Sequence, residues 1–397
     1  MKRKVEGSAR SAELSAKISA RGAARLRDGH VWVYRSDIEN AEGASPGSMV
    51  RVNDPRGKAL GTALYSSSSQ IAIRMISREE VRDLPALVAE RIRAAIAYRK
   101  RIVSETNAYR LVFSEGDFLP GLIVDRYNDV LSLQVLTQAM DAERVHAAVI
   151  STLTEELHPA GILERVDPRI RELEQLAPRK TELIQGERSA TQIEMNGVRF
   201  HYDGLEGQKT GAFLDQRENY AAATLYAHGE ALDVFCYQGG FALHLAAKCK
   251  NVTGVDSSRS ALETAEKNAA LNGRELEWIE ANAFDLLKDY STDKRQYDTI
   301  VLDPPAFAKT KRDVDKALRG YKELNLRALK MLRPGGVLVT CSCSYHVSSQ
   351  AFVEVVADAA RDAHKALRLV EIRSQAKDHP MLANVPETDY LKCLICM

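Results

Sequence analysis

The sequence predicts an α/β protein. A doubly wound parallel sheet should fill the C-terminal half, preceded by a small β-rich domain and a mixed α/β middle domain. Three observations predict this. From residue 231 onward, apolar runs of strand length alternate with runs of helical spacing, the pattern of a parallel sheet covered by helices. Several of those strands end in chemistry-bearing residues: Asp233 before Gly239-Gly240, Asp256, Asp303-Pro304-Pro305, and Cys341-Ser-Cys343-Ser344. Residues 1–76, in contrast, hold only short runs cut by Gly, Pro, Asn and Asp. At 397 residues the chain exceeds the roughly 250–300 at which a single core stops growing. The expected domains are 1–76, 77–190 and 191–397.

In chain order, the first strands are expected at Leu14 to Ile18, Val31 to Tyr34, Ser48 to Val52, Leu60 to Tyr65 and Gln70 to Ile76, which suits a small barrel or pseudobarrel. Glu79 to Ser104 has the apolar spacing of a helix, through Leu84, Val88, Ile92 and Ile96. Leu122 to Val124 and Val130 to Leu136 flank Tyr127-Asn-Asp129 and predict a hairpin. A helix over about 141–157 follows, and the polar stretch 178–190 reads as a linker. Asn196-Gly197 predicts a second hairpin with a type I′ turn. Next, Lys209-Thr-Gly211-Ala-Phe213-Leu-Asp215-Gln216-Arg217-Glu-Asn219 opens a helix. The alternating part runs as strand 231–236, helix 240–248, strand 252–256, helix 259–271, strands 276–280 and 298–302, helix 314–332, strand 336–342, helix 349–363 and a strand near 390–396.

Composition sets the class. The chain is 45% hydrophobic and 27% charged, with no apolar run near the ~20 residues of a membrane span. Met-Lys-Arg-Lys at the start lacks the apolar segment of a signal peptide. All six cysteines lie at or beyond Cys236, which is no secreted disulfide framework. A cytoplasmic protein with reduced thiols is expected. Net charge is +1, but residues 1–36 hold nine Lys/Arg against three acids. Such a basic cluster, including Arg21, Arg25 and Arg27, is the footprint of a phosphate-backbone partner.

In an open α/β sheet, ligands bind beyond the carboxyl ends of the strands. Gly239 and Gly240 let a backbone approach a ligand, and Asp256 sits where such sheets place an acid on a ribose. The turn Phe235-Cys-Tyr-Gln-Gly239-Gly240 lacks the first glycine of G-x-G-x-x-G, and no G-x-x-x-x-G-K-[ST] loop occurs. Asp233, expected to face the cavity, would repel phosphate and suit a cation. Adenosine joined to a charged methionine moiety satisfies both demands, so S-adenosylmethionine is the expected cofactor.

Residues 191–397 resemble a class I S-adenosylmethionine-dependent methyltransferase of Rossmann-like fold, and residues 1–76 resemble an RNA-binding PUA domain. The whole chain resembles the RlmI-type family of 23S ribosomal RNA cytosine-5 methyltransferases. The likeness rests on Ser114-Glu-Gly-Asp-Phe-Leu-Pro-Gly121-Leu-Ile-Val-Asp-Arg126, Lys209 to Arg217, Cys236-Tyr-Gln-Gly-Gly-Phe241, Asp303-Pro-Pro305, Ser342-Cys-Ser344 and Asp378-His-Pro380. It implies that Phe213, Gln216 and Asn219 close over the methionine end of the cofactor. Asp233, Phe235 and Gly239 would form the methionine-binding turn, and Asp256 the ribose acid. Asn282 stands where many relatives place an Asp beside adenine. Asp303 would border the cofactor and contact the target base. Ribosomal RNA is the implied partner, with no membrane and no metal. The sequence fixes no oligomeric state, a homodimer being one option.

Carbon 5 of cytosine is a poor nucleophile until a thiolate adds to carbon 6. Cys341 and Cys343 share a strand face, and the resemblance selects Cys343 as nucleophile. Ala306 stands where another class of RNA cytosine methyltransferases carries its thiol. His379 is a candidate proton acceptor, with capping or packing equally open to it. Glu115 and Asp117 read as turn residues. Cys393-Leu-Ile-Cys396 spells C-x-x-C but lies in an apolar terminal strand, so no metal site is expected. Lys309-Thr-Lys-Arg312 is a basic loop placed for RNA phosphate. Two other readings stay open: methylation of an exocyclic amino group, and a non-catalytic RNA-binding or assembly protein.

Overall fold

A computed structural model describes residues 14–205 and 212–397. Lys2, Arg3, Lys4 and Arg10 of the basic N-terminus, and Lys209 to Gly211, lie outside the described residues. Strands β1 (Ser15–Ile18), β2 (Trp32–Tyr34), β3 (Ile38–Asn40), β4 (Met49–Asn53), β5 (Ala59–Tyr65) and β6 (Ile71–Ser77) form a sheet in the order β2-β6-β5-β4-β1-β3. Helix α1 (Ala20–Arg27) was not expected. Ser19 caps it by accepting from the Gly22 N–H. Its basic residues are largely paired within the domain: Arg21 and Arg25 meet Asp37, and Arg27 meets Asp54. The charge balance therefore overstates the free positive surface of α1.

The middle body contains α2 (Leu84–Ile102), β7 (Ala108–Phe113), β8 (Leu122–Tyr127), β9 (Val130–Val135), α3 (Gln138–Asp141), α4 (Glu143–Leu157), β10 (Gly161–Glu164), α5 (Pro168–Leu173) and β11 (Glu182–Gly186). Its sheet runs β11-β10-β9-β8-β7. Asp83 starts α2 by accepting from the Ala86 N–H, with Pro85 in the first turn. The expected stripe of Leu84, Val88, Ile92 and Ile96 is buried with Leu111, Leu131 and Leu133 of the sheet. Burying each such side chain contributes about 1.5–3 kcal/mol. The stretch read as a linker is instead interrupted by β11, an edge strand antiparallel to β10. Edge strands need little apolar content, so its polar composition hid it. Hairpin β12 (Ala190–Met195) and β13 (Val198–Asp203) turns at Asn196 and Gly197, with φ of +52° and +78° as a type I′ turn requires.

The C-terminal body follows as α6 (Arg217–Tyr226), β14 (Glu230–Val234), α7 (Gly240–Leu245), β15 (Asn251–Asp256), α8 (Arg259–Leu271), β16 (Glu277–Glu280), α9 (Ala283–Thr292), β17 (Tyr297–Leu302), α10 (Val314–Met331), β18 (Leu332–Ser342), α11 (Ser349–Asp362), β19 (Leu369–Arg373) and β20 (Lys392–Cys396). The seven strands run β16-β15-β14-β17-β18-β20-β19. The first five are parallel, and β20 and β19 are antiparallel additions. Strand alternation feeds two cores. Ala231, Val301, Val339 and Ile395 enter one, with residues of α6 and α7. Leu232, Ile300, Leu338 and Leu394 enter the other, with residues of α9, α10 and α11. This is the doubly wound arrangement. Among the described residues, no helix is long and apolar enough to cross a membrane.

Candidate active site

The carboxyl ends of β14, β15, β17 and β18 open on a cavity of about 850 Å³, within the roughly 300–1,000 Å³ of small-molecule sites. Its wall includes Phe213, Gln216, Tyr237, Asp256, Asp303 and Cys343. A smaller recess shares Phe213, Tyr237 and Asp303 and reaches Phe235 and Gly240.

The turn after β14 is held in a strained form. Phe235 and Tyr237 have φ of +68° and +50°, left-handed values that suit glycine better. Each such residue costs of order 1–3 kcal/mol and persists only where its surroundings fix it. Here the N–H groups of Phe235 and Cys236 donate to the Val255 carbonyl at 2.9 and 3.0 Å. The Tyr237 N–H donates to Asp256 at 2.9 Å. Gly239 has φ of +85° and starts α7. A Cβ on Gly240 would lie 2.5 Å from the Tyr220 hydroxyl oxygen.

Asp233 does not face the cavity as expected. It is fully buried behind the turn, where Oδ2 accepts from the Ala242 N–H at 2.8 Å and Oδ1 has no partner. Burial, together with Asp303 and Asp256, raises its carboxyl to about 8. Asp256 does line the cavity. Its two oxygens accept from Tyr237 and Ser258 N–H groups and retain further lone pairs. Asn282 is exposed and absent from the cavity wall. Its oxygen accepts from the Phe284 N–H at 2.9 Å and caps α9, so helix initiation accounts for this residue where an adenine contact was expected.

A hydrogen-bond chain reaches Asp303 from behind. Arg373 Nε donates to Asn219 at 2.9 Å, Asn219 to Gln216 at 2.7 Å, and Gln216 Nε2 to Asp303 Oδ1 at 3.0 Å. Phe213 and Gln216 line the cavity. Asn219 is buried behind Gln216, which it orients. Cys343 lines the same cavity, its Sγ 3.8 Å from the Pro304 carbonyl. Burial pushes its thiol up to about 12, with the charges of Asp303 and Asp215 adding to the effect and Lys392 opposing it. The Ser344 hydroxyl joins the end of β18 to the loop after β17, accepting from the Phe307 and Ala308 N–H groups at 3.0 and 3.1 Å. Cys341 is buried opposite Cys393 and away from the cavity. Among the described residues, no three His, Cys, Asp or Glu side chains assemble as a metal set.

Asp378 and His379 are not cavity residues. Asp378 is buried and accepts from Arg217 at 3.0 Å and from the Arg110 N–H at 2.7 Å. Burial opposes its charge, but His379, Arg217 and Arg110 hold the carboxyl well below the usual range. His379 is buried with its ring 5.2 Å from that of Phe113, so it packs instead of meeting a substrate. Glu115 accepts from the Trp32 indole, and Asp117 from the Phe113 N–H and Arg99, as structural turn acids do. Sequence reading assigned no role to Asp215. It lines the cavity, and Tyr390 donates to its Oδ2 at 2.6 Å.

These residues fit S-adenosylmethionine. Gly240 opens the turn onto the recess, and Asp256, on the cavity wall, keeps free lone pairs for a ribose diol. Fold and site together define an S-adenosylmethionine-dependent methyltransferase. Residues 169–396 match the family described as S-adenosylmethionine-dependent methyltransferase, and residues 16–78 that described as a PUA-like domain. Curated relatives named ribosomal RNA large subunit methyltransferase I are 40% identical over 379 residues in Shewanella denitrificans (92% of this chain, 94% of that one) and 39% over 381 in Pseudoalteromonas translucida (94% and 96%). The chain belongs to that family. The solved structure of SMU.776 complexed with SAH shares the fold, with a TM-score of 0.83 at 18% identity over 96% of this chain and 99% of that one.

Proposed function

We propose that this protein methylates carbon 5 of a cytosine in large-subunit ribosomal RNA through a transient bond from Cys343. One observation carries the reading: a thiol opens into the cofactor cavity beside the Asp-Pro-Pro turn, while Ala306 occupies the position after that turn. A carbon nucleophile as weak as cytosine carbon 5 requires such a thiol, and an amino-group target does not. The relatives' name supports the ribosomal substrate, and the PUA-like domain supports RNA binding. The cofactor, when bound, supplies an electrophilic methyl group on a sulfonium. Asp256 and the turn 235–240 hold it. Asp303, fixed by Gln216, hydrogen-bonds the base edge. Cys343 adds to carbon 6, and carbon 5, now enamine-like, takes the methyl group. Lys309 and Arg312, exposed just past Asp-Pro-Pro, meet backbone phosphate.

Amino-group methylation would use an aromatic beside Asp-Pro-Pro. Phe307 instead packs on Tyr321, ring centroids 4.8 Å apart. Mass spectrometry of digested RNA tests the reading: 5-methylcytidine is expected, and an amino-methylated base would overturn it. RNA carrying 5-fluorocytosine should trap a covalent complex with the native protein and none with Cys343→Ser. A complex that survived the substitution would remove Cys343 as nucleophile.

A further inference from the structure

Methylation at carbon 5 leaves a proton that must be taken from that carbon. We infer that Asp215 takes it, an inference resting on the carbon-5 reading above. Asp215 and Cys343 line the same cavity. Tyr390 donates to Asp215 Oδ2 at 2.6 Å, and the Ala376 N–H donates to its backbone carbonyl at 2.8 Å. Tyr390 thus orients the carboxylate and Ala376 fixes the backbone that bears it, with Oδ1 available to a proton. A base oriented by a third group is the usual arrangement for such a role.

Strand register sets the side of the cavity. Ser342 pairs with Lys392 across antiparallel β18 and β20. This carries Cys343 alongside Leu391, the neighbour of Tyr390, so Asp215 stands on the thiol side. Its charge is felt at the Cys343 sulfur. Asp303 lines this cavity too, and its charge is also felt at the sulfur, but Gln216 occupies its Oδ1 and it reaches into the recess of Phe235, Tyr237 and Gly240, where the cofactor turn lies. Stereochemistry then chooses between the two acids. Sulfur adds to one face of the ring and the methyl group arrives on the other. The carbon-5 hydrogen is pushed to the sulfur's face, where its base must stand.

The step balances. The Cys343 sulfur forms its bond to carbon 6 after losing its proton to solvent. The carbon-5 electron pair takes the methyl group, leaving a neutral thioether. Asp215 Oδ1 takes the carbon-5 proton, the C–H pair restores the ring double bond, and the carbon 6–sulfur pair returns to Cys343. Asp215 then passes its proton to the thiolate, so one proton is released per turnover.

Asp215→Asn keeps the size and the Tyr390 bond but removes the base. With unmodified RNA tritiated at cytosine carbon 5, tritium release should slow about 10²–10⁴-fold, the usual contribution of a general base. A denaturation-stable protein–RNA complex carrying labelled methyl should accumulate, and adding Cys343→Ser should abolish it. In protein without cofactor or RNA, Asp215→Asn should make Cys343 alkylate several-fold faster with iodoacetamide, because a neighbouring negative charge is gone. Tritium release within about twofold of native, absence of a methylated complex, or unchanged alkylation would each overturn the assignment. Failure of the carbon-5 reading looks different: the native protein itself would release no tritium and make no 5-methylcytidine, and the assignment would fall with it.

Discussion

Asp378→Ala should unlatch the middle body from the methyltransferase body. The carboxylate accepts from the Arg217 guanidinium and from the Arg110 N–H, and the Asp378 carbonyl accepts from Arg99 Nη2 at 2.7 Å. Removing the side chain leaves a buried guanidinium whose Nε already lacks a partner, and a backbone N–H without its acceptor. Breaking one side of a buried pair costs about 3–5 kcal/mol. At roughly 2–4 °C per kcal/mol for a body of this size, the melting temperature should fall by about 6–20 °C. The pH dependence gives a second reading. The carboxyl is depressed in the folded state, so its contribution is present above the unfolded value near 3.9 and is lost as pH falls. The gap between native and Asp378→Ala should be constant from about pH 7 to 5 and narrow below about pH 4. Differential scanning calorimetry across that range is the assay. A loss below about 1 kcal/mol, or a gap that does not narrow in acid, would refute the reasoning.

Three further outcomes are expected. Because burial pushes the Cys343 thiol up to about 12, its alkylation in the ligand-free protein should keep rising tenfold per pH unit past pH 10; a plateau near pH 9 by peptide mapping would contradict this. Gly240→Ala puts a methyl group 2.5 Å from the Tyr220 hydroxyl and should cost about 1–3 kcal/mol. Calorimetric affinity for S-adenosylmethionine should then weaken by roughly tenfold or more. RNA affinity should fall steeply and log-linearly with salt as counterions are released; a flat filter-binding profile would leave the basic loop 309–312 without a role.

Much of the fold was legible because strand and helix periods switch cleanly after residue 231. What escaped was local structure with little apolar signal. Helix α1 is basic, β11 and β19 are edge strands, and α9 announces itself mainly through the capping chemistry of Asn282, which was read as ligand chemistry. The site was legible as a set of strand ends. Side-chain direction was legible only in part: Cys343 faces the cavity and Cys341 does not, but Asp233 sits at the right strand end and points into the protein. Asp215 was invisible because its orienting partner, Tyr390, lies 175 residues away in sequence. His379 shows the converse, a motif residue whose job is packing between bodies.

The Ser344 hydroxyl has a consequence for genetics. It is buried, bonded to Tyr321 at 2.8 Å, and pins the loop after Asp303 to the strand end bearing Cys343. One hydroxyl thus sets the spacing of two working residues it never replaces. A loss-of-function screen would rank Ser344 beside them, and a list of essential positions would overcount the chemistry by one. Only the substitution pair Ser344→Ala with Tyr321→Phe, scored as a thermodynamic cycle, would return it to the scaffold.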